Sequence, residues 1–247
     1  MQLISTSPEF SPMKYARIGG VIYLIIIVAG IFGEVFVRNK LVVLGDAVFT
    51  ATNIVASPLL WRMGIGVDLI MQVCDIPLML IFYVLFKPVN KNLALMNLLF
   101  NMIQTAVLVV NKLNLLIPLF LLGDADYLKA VDPHQLQSLS YMFIKLHGYG
   151  FGVGLIFFGL VCLVEGRLIF RSGFLPKTLG LLMQLAGVCY LTNSFAMLIA
   201  PSLANALFPF VLIPPLVAEM GLALWLVVKG VDVGRWMQWS SLDKSIH

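Results

Sequence analysis

Six apolar stretches, each about as long as a membrane-spanning helix, divide this 247-residue chain. A helix rises about 1.5 Å per residue, so roughly 20 apolar residues cross the hydrocarbon core of a bilayer. Only 11% of the residues are charged and 60% are hydrophobic, whereas roughly 25% of residues are charged in soluble domains. The chain is therefore expected to be an integral membrane protein without a sizeable soluble domain. Its expected partner is the lipid bilayer in which it is embedded.

Hydropathy and turn residues predict where the helices lie. A short segment over residues 46–60 is too polar and too short to cross, and is expected to lie at the interface, with Trp61 at the headgroup boundary. Pro214 and Pro215 are expected to interrupt or kink the last helix. The fold class is all-α, a polytopic transmembrane helix bundle of six spanning helices plus a short extracytoplasmic interfacial helix, in a single domain over residues 1–247. The predicted spans are residues 16–37, 62–86, 93–121, 135–170, 178–199 and 207–229.

The distribution of Lys and Arg predicts the orientation. Basic residues are concentrated at both ends of the chain and in the second and fourth connections, so the positive-inside rule places both termini in the cytoplasm. Residues 1–15 would be a cytoplasmic segment and residues 230–247 a cytoplasmic interfacial tail. The net charge of +4 comes mostly from helix ends, so no nucleic-acid partner is expected. The basic residues of this side are Lys14, Arg17, Lys87, Lys91, Arg167, Arg171, Lys177, Lys229, Arg235 and Lys244.

Acidic side chains inside the predicted helices are the main clue to function. Asp68 and Asp75 are seven residues apart, two helical turns, and so share one face of their helix. Glu219 falls close to the midplane of the last span. A charged side chain at bilayer depth costs roughly 2.5 to 3.5 kcal/mol on insertion scales, so such residues normally face a protein interior or a water-filled cavity.

A polar stripe on the third span, formed by Asn97, Asn101, Gln104 and Asn111, adds to these acids. Together they predict a hydrated, carboxylate-containing pocket in the outer half of the bilayer. This pocket would bind a small ligand, proton or cation, in transport or sensing. The candidate ligand-binding residues are Glu34, Asp68, Asp75, Asn111, Lys112, Lys145, His147, Asn193 and Glu219.

Two alternatives remain open at this point. The polar groups could neutralise each other, with Lys112 or Lys145 paired with Asp68 and Glu34 paired with Arg38, in a structural or accessory protein without its own ligand. The amides could likewise serve only as interhelical hydrogen bonds. Small residues on the first and fourth helices permit a homo-oligomer but do not require one.

An intramembrane hydrolase or transferase that uses an acid and His147 as general base is the other alternative. No GxSxG, HExxH or CxxC motif and no Gly-rich phosphate loop supports it, so an enzyme is the less favoured interpretation. The remaining histidines, His134 and His247, lie in a connection and at the terminus. We therefore expect no haem, no metal centre and no other cofactor.

Three segments of the sequence resemble a known family. They are the run YARIGGVIYLIIIVAGIFGE over residues 15–34, the run LHGYGFGVGLIFFGL over residues 146–160 and the turn RSGFLPK over residues 171–177. The chain resembles, over nearly its whole length, the bacterial membrane family known as domain of unknown function 4386. The resemblance implies a polytopic inner-membrane protein of bacterial type. It implies no reaction, because the family has no established activity.

Overall fold

The computed structural model describes residues 11–246, which form helices joined by short turns, with no strand among them. Within this range six helices are long and apolar enough to cross a membrane, which confirms the predicted all-α polytopic fold. Residues 1–10 of the predicted N-terminal segment and His247 of the predicted tail lie outside the described residues. The long helices are α1 (Pro12–Leu41), α3 (Pro58–Phe86), α4 (Lys91–Leu121), α5 (Pro133–Ser172), α6 (Lys177–Ile199) and α8 (Phe210–Val228). The shorter helices are α2 (Ala47–Ala56), α7 (Pro201–Leu207) and α9 (Val233–Ile246).

Side chains at the helix ends explain where several helices begin and end. Asp46, Asn90 and Asp132 precede α2, α4 and α5, and each accepts hydrogen bonds from backbone N–H groups of the first turn at 2.8–3.3 Å. Such caps satisfy donors that have no partner inside the helix. Gly173 ends α5 with a φ of 67°, a left-handed conformation that glycine adopts without a steric cost.

The six long helices form a closed ring. Each packs against the next long helix in the chain, and α8 completes the ring against α1. Successive long helices alternate in direction, so the bundle has two ends. We call the end with α2, α7 and the 3-10 turn Asp126–Ala130 the loop end, and the end with α9 the tail end. Side chains that point into the ring from any helix can therefore meet near its centre.

Glycines allow α5 and α6 to approach each other closely. A Cβ atom on Gly166 would lie 2.5 Å from the carbonyl oxygen of Gly180, and one on Gly187 would lie 2.6 Å from that of Gly159. Small residues permit such backbone contact between membrane helices, where packing rather than the hydrophobic effect drives association. These paired glycines allow the backbones of α5 and α6 to pack directly against each other.

The tail helix α9 is attached to the bundle by hydrogen bonds from long side chains to backbone carbonyls. Trp236 Nε1 donates to the carbonyl of Leu85 at 3.0 Å, and Trp239 Nε1 donates to that of Ser172 at 2.8 Å. The predicted tail is thus a helix packed across the ends of α3 and α5.

Two local predictions differ from the structure. Trp61 is buried, and its Nε1 donates to the carbonyl of Leu115 at 2.8 Å, so it joins α3 to α4 instead of lying at a headgroup boundary. Pro214 and Pro215 lie in the first turn of the α-helical part of α8, which begins at Ile213. Proline needs no intrahelical donor there, so the two prolines start this helix instead of kinking it.

Candidate functional site

An ion-pair cluster of Glu34, Arg38, Asp68, Lys112 and His147 joins four helices near the loop end. Asp68 is fully buried on α3, and its Oδ2 accepts from Arg38 Nη1 at 2.6 Å and from Lys112 Nζ at 2.8 Å. Arg38 Nε also donates to Glu34 Oε2 at 2.7 Å. Two acids thus face two bases, and the cluster is neutral overall when His147 is neutral.

A local departure from α-helix geometry in α1 positions Arg38. Residues Phe32–Arg38 form a π-helical turn, a rare arrangement that often occurs at functional sites. Gly33, inside this turn, faces Asp68 so closely that a Cβ atom would lie 2.3 Å from its Oδ1. The glycine therefore allows the Asp68 carboxylate to reach the guanidinium of Arg38.

The other side of the cluster is formed where α4 changes geometry at Lys112. The Lys112 ammonium is buried, and its Nζ lies 3.3 Å from His147 Nε2 on α5. An ammonium group has donors only, so Nε2 is the acceptor in this contact. The neighbouring Asn111 donates from Nδ2 to the carbonyl of His147 at 2.8 Å, and Gly150 leaves the space that the Asn111 side chain occupies.

A second polar group lies between α3 and α4, two turns along α3 from Asp68. The buried Asp75 carboxyl accepts a short hydrogen bond from the Thr105 hydroxyl, and the Asn101 side chain is a second donor to it. Gln72 lies one turn before Asp75 on α3 and is also buried. Gln104 precedes Thr105 on α4. We call these five residues the Asp75 site.

A third polar group contains Glu165 of α5 and Glu219 of α8. Glu219 accepts hydrogen bonds from the hydroxyls of Tyr190 on α6 and Tyr23 on α1. Glu165 is buried, and its Oε1 has no hydrogen-bond partner among the described residues. Asp75 and the two glutamates are close enough to interact electrostatically.

The carboxyl groups fall into two classes. Asp68 has two basic partners, whereas no Lys, Arg or His of the described residues forms an ion pair with Asp75, Glu165 or Glu219. The hydrogen-bond donors around Asp75 and Glu219 are hydroxyl and amide groups. Asp75 and Glu165 are buried and Glu219 is half-buried. An ionised carboxylate without a basic partner is costly in such a position, so these groups are the candidate functional site.

The sequence-based candidates do not all meet in one place. Asp68, Asn111, Lys112 and His147 come together near the loop end, with Glu34 exposed at their edge. The ion pairs that the sequence allowed for Asp68 with Lys112 and for Glu34 with Arg38 are both present.

Three candidates lie apart from this cluster, in addition to Asp75. Lys145 is exposed, with its Nζ 5.8 Å from the centre of the Tyr141 ring. Asn193 is buried on α6, where its amide faces the sulfur of Met197 at 4.0 Å. Glu219 belongs to the third group. The predicted single pocket is therefore divided among separate polar groups in the structure.

Sequence reasoning missed Glu165 and the hydroxyl partners of the acids. Glu165 had the same signal as Asp75, an acid inside a predicted span, but Arg167 two residues later marks the approaching helix end. Thr105, Tyr23 and Tyr190 had no signal, since hydroxyl residues are common in apolar helices. Only the packing of the helices places them against carboxyl groups.

Two surface grooves lie away from these polar groups. One of about 490 Å³ is apolar and lies between α1 and α3, and one of about 480 Å³ lies beside α2. Neither is lined by a candidate residue. No cluster of three or more His, Cys, Asp or Glu residues suited to a metal ion occurs in residues 11–246. The described part of the chain also shows no hydroxyl or thiol hydrogen-bonded to the His147 ring, which faces Lys112 and Phe151.

The fold and its surface together define the class of protein. The outward faces of the long helices expose large apolar side chains, including Val28, Ile70, Val73 and Val110, as expected for helices in contact with lipid. The molecule is a multi-pass, all-α membrane protein.

Comparison with known proteins agrees with this class. The chain matches the family described as "Domain of unknown function (DUF4386)" over residues 18–230, and it belongs to that family. It is also similar to an uncharacterized protein of Archaeoglobus fulgidus, 25% identical over 166 residues, which cover 67% of this chain and 82% of the archaeal protein. No solved structure shows significant similarity.

Proposed function

We propose that this protein moves positive charge across the membrane on the carboxyl groups of Asp75, Glu165 and Glu219, as a proton-coupled transporter. The observation that carries the proposal is that none of Asp75, Glu165 and Glu219 has a basic partner among the described residues. Asp75 and Glu219 are contacted by neutral donors, and Glu165 Oε1 has no hydrogen-bond partner there. Asp68 differs from these three acids because it has two basic partners, Arg38 and Lys112. Its charge is already balanced by residues that hold α1, α3 and α4 together.

The energetic argument concerns the cost of burying charge. An ionised carboxylate without a partner in a low-dielectric interior costs several kcal/mol, by order of magnitude. A proton or a metal cation removes that cost when it binds. Acids of this kind are common in proton relays and ion pathways of membrane proteins, and less common as packing elements.

The positions of the three acids support a pathway through the ring. They lie on three different helices, α3, α5 and α8, and interact electrostatically with one another. Glu219 is at the middle of the span Phe210–Val228, and Glu165 is roughly 10 Å from the tail end of α5 at the standard helical rise. The hydroxyls of Tyr23 and Tyr190 add groups that can exchange protons with Glu219.

Flux measurements in vesicles test the proposal. The full chain would be reconstituted in phosphatidylcholine and phosphatidylglycerol vesicles that contain a pH-sensitive dye, and a pH step would be applied in sodium, potassium or choline chloride. We expect proton flux above that of protein-free vesicles, which falls to the protein-free level in Glu165→Gln and Glu219→Gln.

Asp126→Asn is the matched control, because it makes the same acid-to-amide change in the exposed turn at the loop end. Its flux should equal that of the wild type. Folding of each variant would be checked by circular dichroism and gel filtration in detergent. Wild-type vesicles that behave like protein-free vesicles, or folded Glu165→Gln and Glu219→Gln variants with full flux, would refute the proposed function.

A further inference from the structure

The Asp75 site contains buried oxygen acceptors that no hydrogen-bond donor reaches. The Oε1 of Gln72 and the Oδ1 of Asn101 are buried and have no hydrogen-bond partner among the described residues. The Thr105 hydroxyl has one proton, which it donates to Asp75, so the Oε1 of Gln104 at 3.4 Å from the same hydroxyl receives none. Buried polar groups are normally paired, so these unpaired oxygens require an explanation.

These acceptors lie on facing sides of two helices that pack against each other. Gln72 and Asp75 are three residues apart on α3, and Asn101, Gln104 and Thr105 are spaced by three and one on α4. Side chains three and four residues apart occupy the same face of a helix. All five residues are buried, so bulk water does not satisfy their oxygens.

We propose that the Asp75 site binds a dehydrated monovalent metal cation of the Na⁺ class between α3 and α4. The proposal rests on the proposed function and names where a metal ion, in addition to protons, would be held. The ligands would be the Asp75 carboxylate, the unpaired oxygens of Gln72 and Asn101, and the oxygens of Thr105 and Gln104. Hard cations prefer oxygen ligands of these kinds.

The number of acceptors favours a metal cation over a proton at this position. A proton on Asp75 adds one donor and leaves the remaining amide oxygens unpaired. A cation is shared by several oxygens at once, and so gives each unpaired oxygen a partner. Glu219 has hydroxyl donors, and Glu165 Oε1 has no partner among the described residues. Neither glutamate has such a set of amide oxygens, so both remain the proton-carrying groups.

The charge of the Asp75 site determines whether a monovalent or a divalent cation binds there. Asp75 is the single acid, and its four companions are neutral, so one positive charge balances the site. A divalent ion would leave an uncompensated charge among apolar helices, which is costly. We therefore expect Na⁺ or Li⁺ to bind and Ca²⁺ neither to bind nor to compete.

Equilibrium binding tests the site independently of flux. Purified full-length protein in detergent would be titrated with sodium chloride against choline chloride at constant ionic strength, by isothermal titration calorimetry. We expect saturable sodium binding in the wild type, its loss in Asp75→Asn, and binding about tenfold weaker in Gln72→Leu and Thr105→Val, the loss expected from one ligand. Asp126→Asn and the exposed Gln238→Leu are the matched controls and should bind as the wild type does.

The Gln72→Leu variant distinguishes whether Gln72 is a ligand of the cation or only a packing residue. Replacement of a buried amide whose oxygen has no partner by an apolar side chain is expected to leave stability unchanged or raise it. A purely structural Gln72 would therefore give a stable variant with unaltered sodium binding, which would contradict the proposal.

Other outcomes are also decisive. No saturable sodium binding in the wild type, or unchanged binding in a folded Asp75→Asn variant, would overturn the site even if proton flux is present in vesicles. Sodium binding that depends on Asp75 in a protein without proton flux would retain the site and refute the proposed function.

Discussion

Single residues in this protein take their roles from what packs around them. Asp68 and Asp75 are the same residue type on the same face of α3, yet Asp68 contacts an Arg and a Lys whereas Asp75 contacts a hydroxyl and an amide. The first arrangement is an internally neutralised link between helices. The second leaves a carboxyl group that binding of a positive charge would stabilise.

Replacement of Asp68 by Asn should strongly destabilise the fold. The change leaves Arg38 and Lys112 facing each other without their shared carboxylate, and removal of one member of a buried ion pair typically costs about 3 to 5 kcal/mol. Reversible unfolding in mixed detergent micelles, followed by circular dichroism, measures the change in free energy. The exposed pair of Asp126 and Lys129 is the control, because Asp126→Asn should change stability little. An unfolding curve of Asp68→Asn that overlies the wild-type curve would refute this structural role.

At the scale of helices, close contacts position the polar groups. The π-helical turn in α1 brings Arg38 to Asp68, and glycines in α5 make room for side chains of α4. The contacts of α4 with α5 include both Asn111 and Lys112, so any shift of this helix pair displaces the ion-pair cluster. The geometry of the cluster thus depends on residues that carry no charge.

Two glycines of α5 provide a matched test of the α4–α5 contact. A Cβ atom on Gly150 would lie 2.1 Å from Asn111 Oδ1, whereas one on Gly148 would meet no atom within 4 Å. We expect Gly150→Ala to lower the free energy of unfolding by about 1 to 3 kcal/mol, as overpacking does. Gly148→Ala should leave it unchanged or raise it by roughly 0.5 to 1 kcal/mol through helix propensity. Equal effects of the two substitutions in the same detergent unfolding assay would contradict the packing.

At the scale of the whole molecule, the closed ring and the even number of long helices determine how the chain is arranged. Six crossings in the described range bring the beginning of α1 and the end of α8 to the same end of the bundle, where α9 also lies. Basic residues are concentrated at that end. We propose that the tail end faces the cytoplasm in the inner membrane, as the positive-inside rule indicates.

Reporter fusions test this orientation. Alkaline phosphatase, which is active only outside the cytoplasm, should be active when fused after Tyr127 at the loop end and inactive when fused after Ile246. A fusion after Val89, in the turn between α3 and α4 at the tail end, should match the carboxyl-terminal fusion. Activity after Ile246 together with inactivity after Tyr127 would show the reverse orientation.

Much of the architecture was predictable from the sequence, because the length of an apolar segment depends only on consecutive residues. The spans 62–86, 93–121 and 178–199 agree with the observed helices to within a few residues. The short segment predicted over residues 46–60 is helix α2 only as far as Ala56, and residues 58–60 belong to α3. Trp61 and the two prolines of α8 were misplaced. Their roles depend on the carbonyl of Leu115 and on where the α-helical part of α8 begins.

The sequence alone determined the class of protein, the number of spans and the presence of acids at membrane depth, since each follows from hydropathy and spacing along one chain. Only the tertiary structure decided which acids are paired. It joined Asp68 to Arg38 and Lys112 from two other helices, brought Glu165 near Glu219, and left Asp75 among neutral oxygens. Charge balance inside a bundle depends on side chains far apart in sequence that meet in space, and no local pattern contains that information.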